Sequence, residues 1–335
     1  MIRIKVIIPL AGKGTRMRPH THTKAKPLLP VAGKPVLDHV IDSLKGLDVS
    51  EYLFITGHLK EQIEEHIKKN YSFTARFIEQ KVKDGTAGAI RLAKQFVDEP
   101  VLIIFVDTIF DADLSVIAES KDDGIIWAQE VEEYQRFGVI VQDEQGYMRR
   151  IVEKPKEPVS RLANIGLYYI RDYGLMFEGI EHVFAKEMKL KGEYYLTDAF
   201  QYMIDHGSRI KVAEVDGWYD CGAPNTTLES NAILLKKHHA VKSKVKDTVI
   251  NEPVYIGEGC TVEGCVIGPN VSVAAGCTLK DAALKDCIVD RNSTVVGIAL
   301  SDSILGEETF IEGAGKEHHA TVMLGDHSRT EFKKG

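Results

Sequence analysis

The chain is short of cysteine and tryptophan, has no excess of positive charge and contains no long apolar run. Its five cysteines, Cys221, Cys260, Cys265, Cys277 and Cys287, form no CxxC pair. They suggest neither a disulfide framework nor a structural zinc site, and they read as buried, reduced thiols. With 42 Lys+Arg against 49 Asp+Glu the formal net charge is −7, so nucleic-acid binding through a broad basic surface is not expected. No stretch approaches the roughly 18 apolar residues of a membrane-spanning helix, and the start, Met1 to Pro9, is too short for a signal h-region. A cytoplasmic protein without a membrane partner is expected. What is present is ordinary for a globular protein: 44% hydrophobic and 27% charged residues over 335 positions, enough for roughly two domains.

Over residues 1–240, short β-branched runs alternate with amphipathic segments, which predicts βαβ units and an α/β fold with a mainly parallel or mixed sheet. Strands are expected at Lys5–Ile8, Tyr52–Ile55, Ala75–Ile78, Val101–Val106, Gly138–Val141 and Gly166–Ile170. A helix is expected from Val36, Leu37, Val40, Ile41 and Leu44, with Pro35 in its first turn. From about 245 to 325 the texture changes. Ile250, Ile256, Val262, Val273 and Leu279 recur at six residues or nearly so, Ile267 falls one residue early, and glycines punctuate the series. That hexapeptide rhythm predicts a short parallel β-helix of about four coils, with the register slipping after Leu279. Lys236 to Lys246 reads as a helix end and linker, and the tail after Gly325 as frayed.

The strongest local signal follows the first strand: Leu10-Ala11-Gly12-Lys13-Gly14-Thr15-Arg16. A glycine-rich turn leaving a strand lets backbone N–H groups approach phosphates, and an arginine beside it supplies a planar donor fork. The turn is neither a Rossmann fingerprint, because Met17 stands where the third glycine is needed, nor a Walker A loop, since GxxxxGK[ST] occurs nowhere. Ten residues after Arg16 comes Lys26-Pro27-Leu28-Leu29-Pro30, and further strings follow in order: Gln80 with Asp84-Gly85-Thr86-Ala87, Asp107, Phe137-Gly138-Val139, Glu153-Lys154-Pro155, Asn164-Ile165-Gly166, Gly192 to Asp198, and Trp218 to Gly222.

Together these strings resemble the sugar-1-phosphate nucleotidylyltransferases, nearest in look to glucose-1-phosphate thymidylyltransferases and uridylyltransferases. The resemblance implies a Rossmann-like catalytic domain over 1–240, followed by a left-handed hexapeptide β-helix over 245–325. It also implies that a sugar 1-phosphate attacks the α-phosphorus of a nucleoside triphosphate and pyrophosphate leaves. A phosphate monoester is already largely anionic at neutral pH, so such a site has to position and neutralise two polyanions rather than supply a base. By resemblance, Arg16 serves the triphosphate, Lys26 the α-phosphate and departing pyrophosphate, and Lys154 the sugar phosphate. Leu10, Ala11, Gly12, Gly14, Thr15, Gln80, Gly85 and Thr86 join Arg16 round the nucleotide; Gly138, Glu153, Asn164 and Gly166 join Lys154 round the sugar. Asp107 and Asp220 are the expected ligands of Mg²⁺, a hard cation that takes one or two carboxylates plus substrate phosphates.

The expected partners are a nucleoside triphosphate, with dTTP or UTP favoured, and glucose 1-phosphate. A GTP-dependent mannose-1-phosphate guanylyltransferase stays open, since Gly85 to Ala89 also resembles that branch. So does a non-catalytic subunit that senses NDP-sugars. An acyl-transferring β-helix would typically need a histidine base, and none occurs between His239 and His318. The β-helix therefore reads as an oligomerisation or regulatory appendage, and a homo-oligomer is expected. His20 and His22 read as residues of a mobile loop, and His318 and His319 find no role. Tyr194 and Tyr195 fit either a substrate loop or plain packing.

Overall fold

Val101-Leu102-Ile103-Ile104 is apolar at four successive positions. In the computed structural model of the protein, which describes residues 2–332, all four are buried in one strand. A strand covered on both faces has no solvent side to reserve for polar residues, the usual condition inside a parallel sheet. The chain forms two compact units: Met1–Gly12 with Val40–Trp218, and Lys13–His39 with Tyr219–Gly335.

In the first unit the main sheet runs in the order Met148–Glu153, Gly138–Gln142, Leu162–Ile170, Val101–Ile104, Arg3–Pro9, Asp48–Thr56, Ala75–Glu79. The last four strands are mutually parallel, and Leu162–Ile170 runs antiparallel to its neighbours. The sheet is thus mixed, as expected. Strand Gly124–Glu130 extends it by pairing with Leu162–Ile170 and with Ile210–Glu214. Helices Tyr173–Ala185 and Leu196–Asp205 contribute Met176, Phe177, Ile180, Phe200 and Met203 to a core shared with Ile103, Ile126 and Tyr168. Full burial of a side chain of this size contributes about 1.5–3 kcal/mol. The first of these helices starts where Asp172 accepts a hydrogen bond from Leu175 N at 3.0 Å, an ordinary N-cap. The strand expected to reach Val106 stops at Ile104, and the following turn holds Asp107. Pro35 closes a two-residue strand, with helix Val36–Ser43 starting one residue later than anticipated.

The second unit contains helix Pro224–His238, with its proline in the first turn, and a left-handed parallel β-helix. One face stacks six strands, from Val245–Lys246 through Thr261–Glu263, Thr278–Lys280, Thr294–Val296 and Phe310–Glu312 to Arg329–Glu331. That exceeds the four coils expected. Val245 pairs with Val262 and Val262 with Leu279, seventeen residues apart; Leu279 then pairs with Val295 and Val295 with Ile311, sixteen apart. A coil of seventeen is two six-residue sides and one of five, which is why Ile267 falls early. Coils of sixteen have two sides of five, so the sixfold rhythm breaks after Leu279 while the inward series continues unbroken through Leu284, Val289, Val295, Leu300, Leu305 and Ile311. The corners are built by residues with positive φ: Asp247, Gly264, Asp281 and Gly297 stack at one, and Asn270, Asp286 and Asp302 at another. Glycine, asparagine and aspartate adopt this left-handed backbone at least cost.

One expectation is corrected here. The tail after Gly325 is not frayed through Glu331, because Arg329–Glu331 pairs in register with Phe310–Glu312; residues 333–335 lie outside the described residues. His319 lies in a short strand that pairs with Ala299. All five cysteines are buried, and none is in a disulfide. Among the described residues no helix is long and apolar enough to cross a membrane.

Candidate active site

The segment expected at the nucleotide is divided between the two units. Leu10 and Ala11, at the end of strand Arg3–Pro9, belong to the first. Leu10 N donates to Ile55 O at 2.7 Å, and a Cβ on Gly57 would stand 2.9 Å from Ala11 Cα, so two backbones touch there. Gly12, by contrast, has open space on its Cβ side.

Residues 14–26 lie in the second unit and fold back on themselves. Gly14 has φ +60°, and a Cβ on it would come within 3.0 Å of both Lys26 Cβ and Thr21 Cγ2. The Thr21 hydroxyl donates to Gly14 O at 2.7 Å, and Met17 N to the same oxygen at 2.9 Å. The turn Thr15–Met17 thereby leaves Arg16 exposed while Met17 is buried. A Cβ on Gly222 would lie 2.7 Å from Asp220 Oδ1 and 3.2 Å from Arg16 Nη2. Arg16 and Asp220 therefore converge on Gly222, whose N–H also donates to Asp220 Oδ1 at 2.7 Å. His20 is not a mobile residue: it is 1% exposed, its Nε2 has no partner, and burial lowers its pKa to about 4, with Asp326 opposing and Lys24 reinforcing that shift. His22 is exposed.

In the first unit, the loop expected at the base is held by backbone. Gly85 has φ +108°, and a Cβ there would fall 2.2 Å from Tyr194 O, so glycine is required. Tyr194 N donates to Asp84 O at 2.7 Å and Ala87 N to Tyr194 O at 3.0 Å. Thr86 Oγ1 accepts from Leu196 N at 2.9 Å. Gln80 is buried, with Nε2 donating to Asp84 Oδ1 at 3.2 Å. The Asp84 carboxylate fills the space where a side chain at Gly88 would begin, 1.9 Å from a Cβ built there. Asp84 thus shapes this loop from within, a part not assigned to it from the motifs.

The expected sugar-phosphate residues converge. Asn164 Nδ2 donates to Gly138 O at 2.7 Å, and a Cβ on Gly138 would lie 2.4 Å from that nitrogen and 2.9 Å from Glu153 Oε2. Lys154 Nζ stands 3.3 Å from Glu153 Oε1 and 3.0 Å from the Tyr195 hydroxyl, which donates to Glu193 Oε2 at 3.0 Å. Gly166, φ +83°, sits at a register shift in Leu162–Ile170, its oxygen accepting from Phe105 N at 2.9 Å. Burial pushes the Glu153 carboxyl above the usual range despite Lys154 and Thr197. Burial disfavours the charged form of Lys154, but Tyr195 and Glu153 outweigh it, and its pKa is raised. Asp198 is pushed up to about 6 by burial and then by Glu153. Thr197 and Asp198 were visible only as parts of a matching string, and Tyr195 only as a loop or packing residue, because nothing in local spacing shows which neighbour closes on a lysine. Tyr194 packs: its backbone holds the Gly85 turn and its ring stacks on Phe184 at 4.0 Å. Asp107 lies in the first unit and Asp220 in the second.

Comparison with known proteins identifies the fold. The sequence model of the nucleotidyl transferase family matches residues 5–237, and that of the GlmU-like C-terminal hexapeptide matches 225–302. The chain belongs to the sugar-1-phosphate nucleotidylyltransferase family. Its relatives include the bifunctional protein GlmU of Methanocaldococcus jannaschii, 37% identical over 76% of this chain and 60% of that protein. Another is the GlmU of Methanococcus aeolicus, 34% identical over 90% of this chain and 77% of its own length. The glucose-1-phosphate thymidylyltransferase of Streptomyces griseus is 27% identical over 98% of this chain and 99% of that one. Among solved structures, a UDP-glucose pyrophosphorylase complexed with UDP-glucose superposes with TM-score 0.63 at 25% identity, covering 71% of this chain and all of the other.

Proposed function

We propose that the protein transfers a nucleoside monophosphate from dTTP or UTP to glucose 1-phosphate, releasing pyrophosphate. The observation that carries this reading is the cluster of Lys154, Glu153, Tyr195 and Asn164 in the first unit, a cation held in place beside groups suited to sugar hydroxyls. The pyrimidine and the glucose are favoured by the relatives named for them and by the backbone-lined turn at Gly85, which suits hydrogen bonding to the edge of a flat ring.

In this reading Lys154 takes the sugar phosphate. Its raised pKa keeps it cationic at neutral pH, and the hydrogen bond it donates to the Tyr195 hydroxyl fixes the direction of its ammonium group. Glu153 and Asn164 take sugar hydroxyls. Arg16 and Lys26 draw the triphosphate onto the turn, so that the attacking oxygen and the leaving pyrophosphate are lined up and their charge is neutralised. The carboxylates of Asp107 and Asp220 are hard oxygen donors of the kind Mg²⁺ takes, one or two at a time, leaving its other positions to phosphates and water. Gly222 N orients the Asp220 carboxylate for that role. When bound, the ion would neutralise phosphate charge.

Pyrophosphate release, measured with Mg²⁺ across five nucleoside triphosphates and the 1-phosphates of glucose, mannose, galactose and N-acetylglucosamine, tests the reading. A productive pair of dTTP or UTP with glucose 1-phosphate is expected. Turnover only with GTP and mannose 1-phosphate would replace the substrates, and silence across the panel in a folded protein would refute the activity.

A further inference from the structure

The turn that carries Arg16 and Lys26 is fastened to the β-helix by a buried set of charges. Lys24 forms an ion pair with Asp290 and donates to Glu307 Oε2 at 2.8 Å. Only 13% of the Lys24 side chain and 6% of the Asp290 side chain are exposed. Asp290 follows strand Ala283–Val289, and Glu307 occupies the next coil. Beside them, the Thr23 hydroxyl donates to Asp326 Oδ2 at 2.8 Å, while Asp326 Oδ1 accepts from Glu307 N at 2.8 Å. A Cβ on Gly325 would meet Pro19 at 3.3 Å. His20 is buried next to the same charges.

Burying a carboxylate to this degree is costly unless it is paired and hydrogen-bonded, and such pairs often contribute geometry more than stability. Here the geometry fixed is that of a segment with work to do. Lys24 is two residues from Lys26 and three from Thr21, whose hydroxyl holds Gly14 O. We propose that Asp290 and Glu307 are positioning residues: acting through Lys24, these β-helix carboxylates hold the Gly14–Lys26 turn in the folded form that presents Arg16 and Lys26 to the nucleotide. Burial alone would raise the Asp290 pKa and lower that of Lys24; the facing carboxylates reverse the shift on Lys24, so the lysine remains a cation in the buried pair. The proposal rests on the nucleotide reading of this turn.

Asp290→Asn and Glu307→Gln in the full-length protein test it, with two readouts. Amide hydrogen exchange over residues 14–26 is expected to accelerate by about tenfold, the loss of one charge-assisted hydrogen bond. The KM for the triphosphate is expected to rise by about tenfold while the KM for the sugar phosphate stays within about twofold. Should Asp290→Asn fail to fold, Glu307→Gln, whose side chain is 32% exposed, carries the test. Unchanged exchange over 14–26 overturns the proposal whatever the kinetics do, as do two KM values rising together, the mark of a general loss of structure. A wild-type protein that releases no pyrophosphate refutes the function instead, and the exchange rates then decide the positioning role alone.

Discussion

Replacing Lys154 by alanine separates the two substrates. Its ammonium lies 3.3 Å from Glu153 and 3.0 Å from the Tyr195 hydroxyl, so the substitution removes both the cation offered to the sugar phosphate and the counterion of a carboxylate whose side chain is 12% exposed. A charge-assisted hydrogen bond contributes about 1.5–3 kcal/mol, which at about 1.4 kcal/mol per decade is a loss of roughly 10- to 150-fold in kcat/KM for the sugar phosphate. The KM for the triphosphate should move by less than about threefold, because the groups assigned to it are on other segments. The variant should also gain activity as the pH falls. Burial already holds the Glu153 pKa above the usual carboxylate range. Without Lys154 it rises further, and a protonated Glu153 no longer repels the phosphate. Initial rates of pyrophosphate release, with each substrate varied in turn at several pH values, check this. A triphosphate KM that rises as much as that of the sugar phosphate would refute the placement of Lys154.

Asp220→Asn retains an oxygen to accept from Gly222 N, so the fold should survive while turnover drops by about 100-fold or more, since one charge leaves a site that works by neutralisation; wild-type turnover would remove Asp220 from the metal role. Gly85→Ala forces a Cβ to within 2.2 Å of Tyr194 O at φ +108°, and chemical denaturation should show a loss of at least about 2 kcal/mol. For Asp198, whose folded pKa is raised to about 6, the stabilising contribution is present below its unfolded pKa near about 4 and is lost as the pH rises through about 6. Asp198→Asn should therefore raise the Tm at pH 8 and leave it unchanged near pH 4; a Tm difference independent of pH would contradict the burial argument.

Sequence reading recovered most of the architecture because the signals were periodic. The unbroken apolar run at Val101–Ile104 marks a strand buried on both faces, and the inward aliphatics of the β-helix announce themselves by spacing, including the break after Leu279, which is a change in coil length rather than an end. Ordered motifs singled out Lys154, Glu153, Asn164 and Gly138, and the structure brings the four side by side. What the sequence did not show depends on chain returning from far away. His20 looks like a polar loop residue until the β-helix is packed beside it, and Lys24 looks like a solvated charge until Asp290 and Glu307 arrive from coils more than 260 residues further on. The partners of Asp84 and Tyr195 were hidden as well: only the folded chain brings Gln80 to the one and Lys154 to the other.

The segment Lys13–His39 belongs to the same unit as the β-helix although it lies near the start of the chain. Besides the Lys24 pair, Ala32 N donates to Asn231 Oδ1 at 2.9 Å and a Cβ on Gly33 would strike the Tyr255 ring at 2.6 Å. The C-terminal part of this protein is consequently not an interchangeable attachment. Coils added or deleted beyond Leu305 change the surroundings of an N-terminal turn, so insertions and deletions tolerated elsewhere in a stack of repeats are constrained here, and β-helix and signature turn are expected to have changed together in evolution.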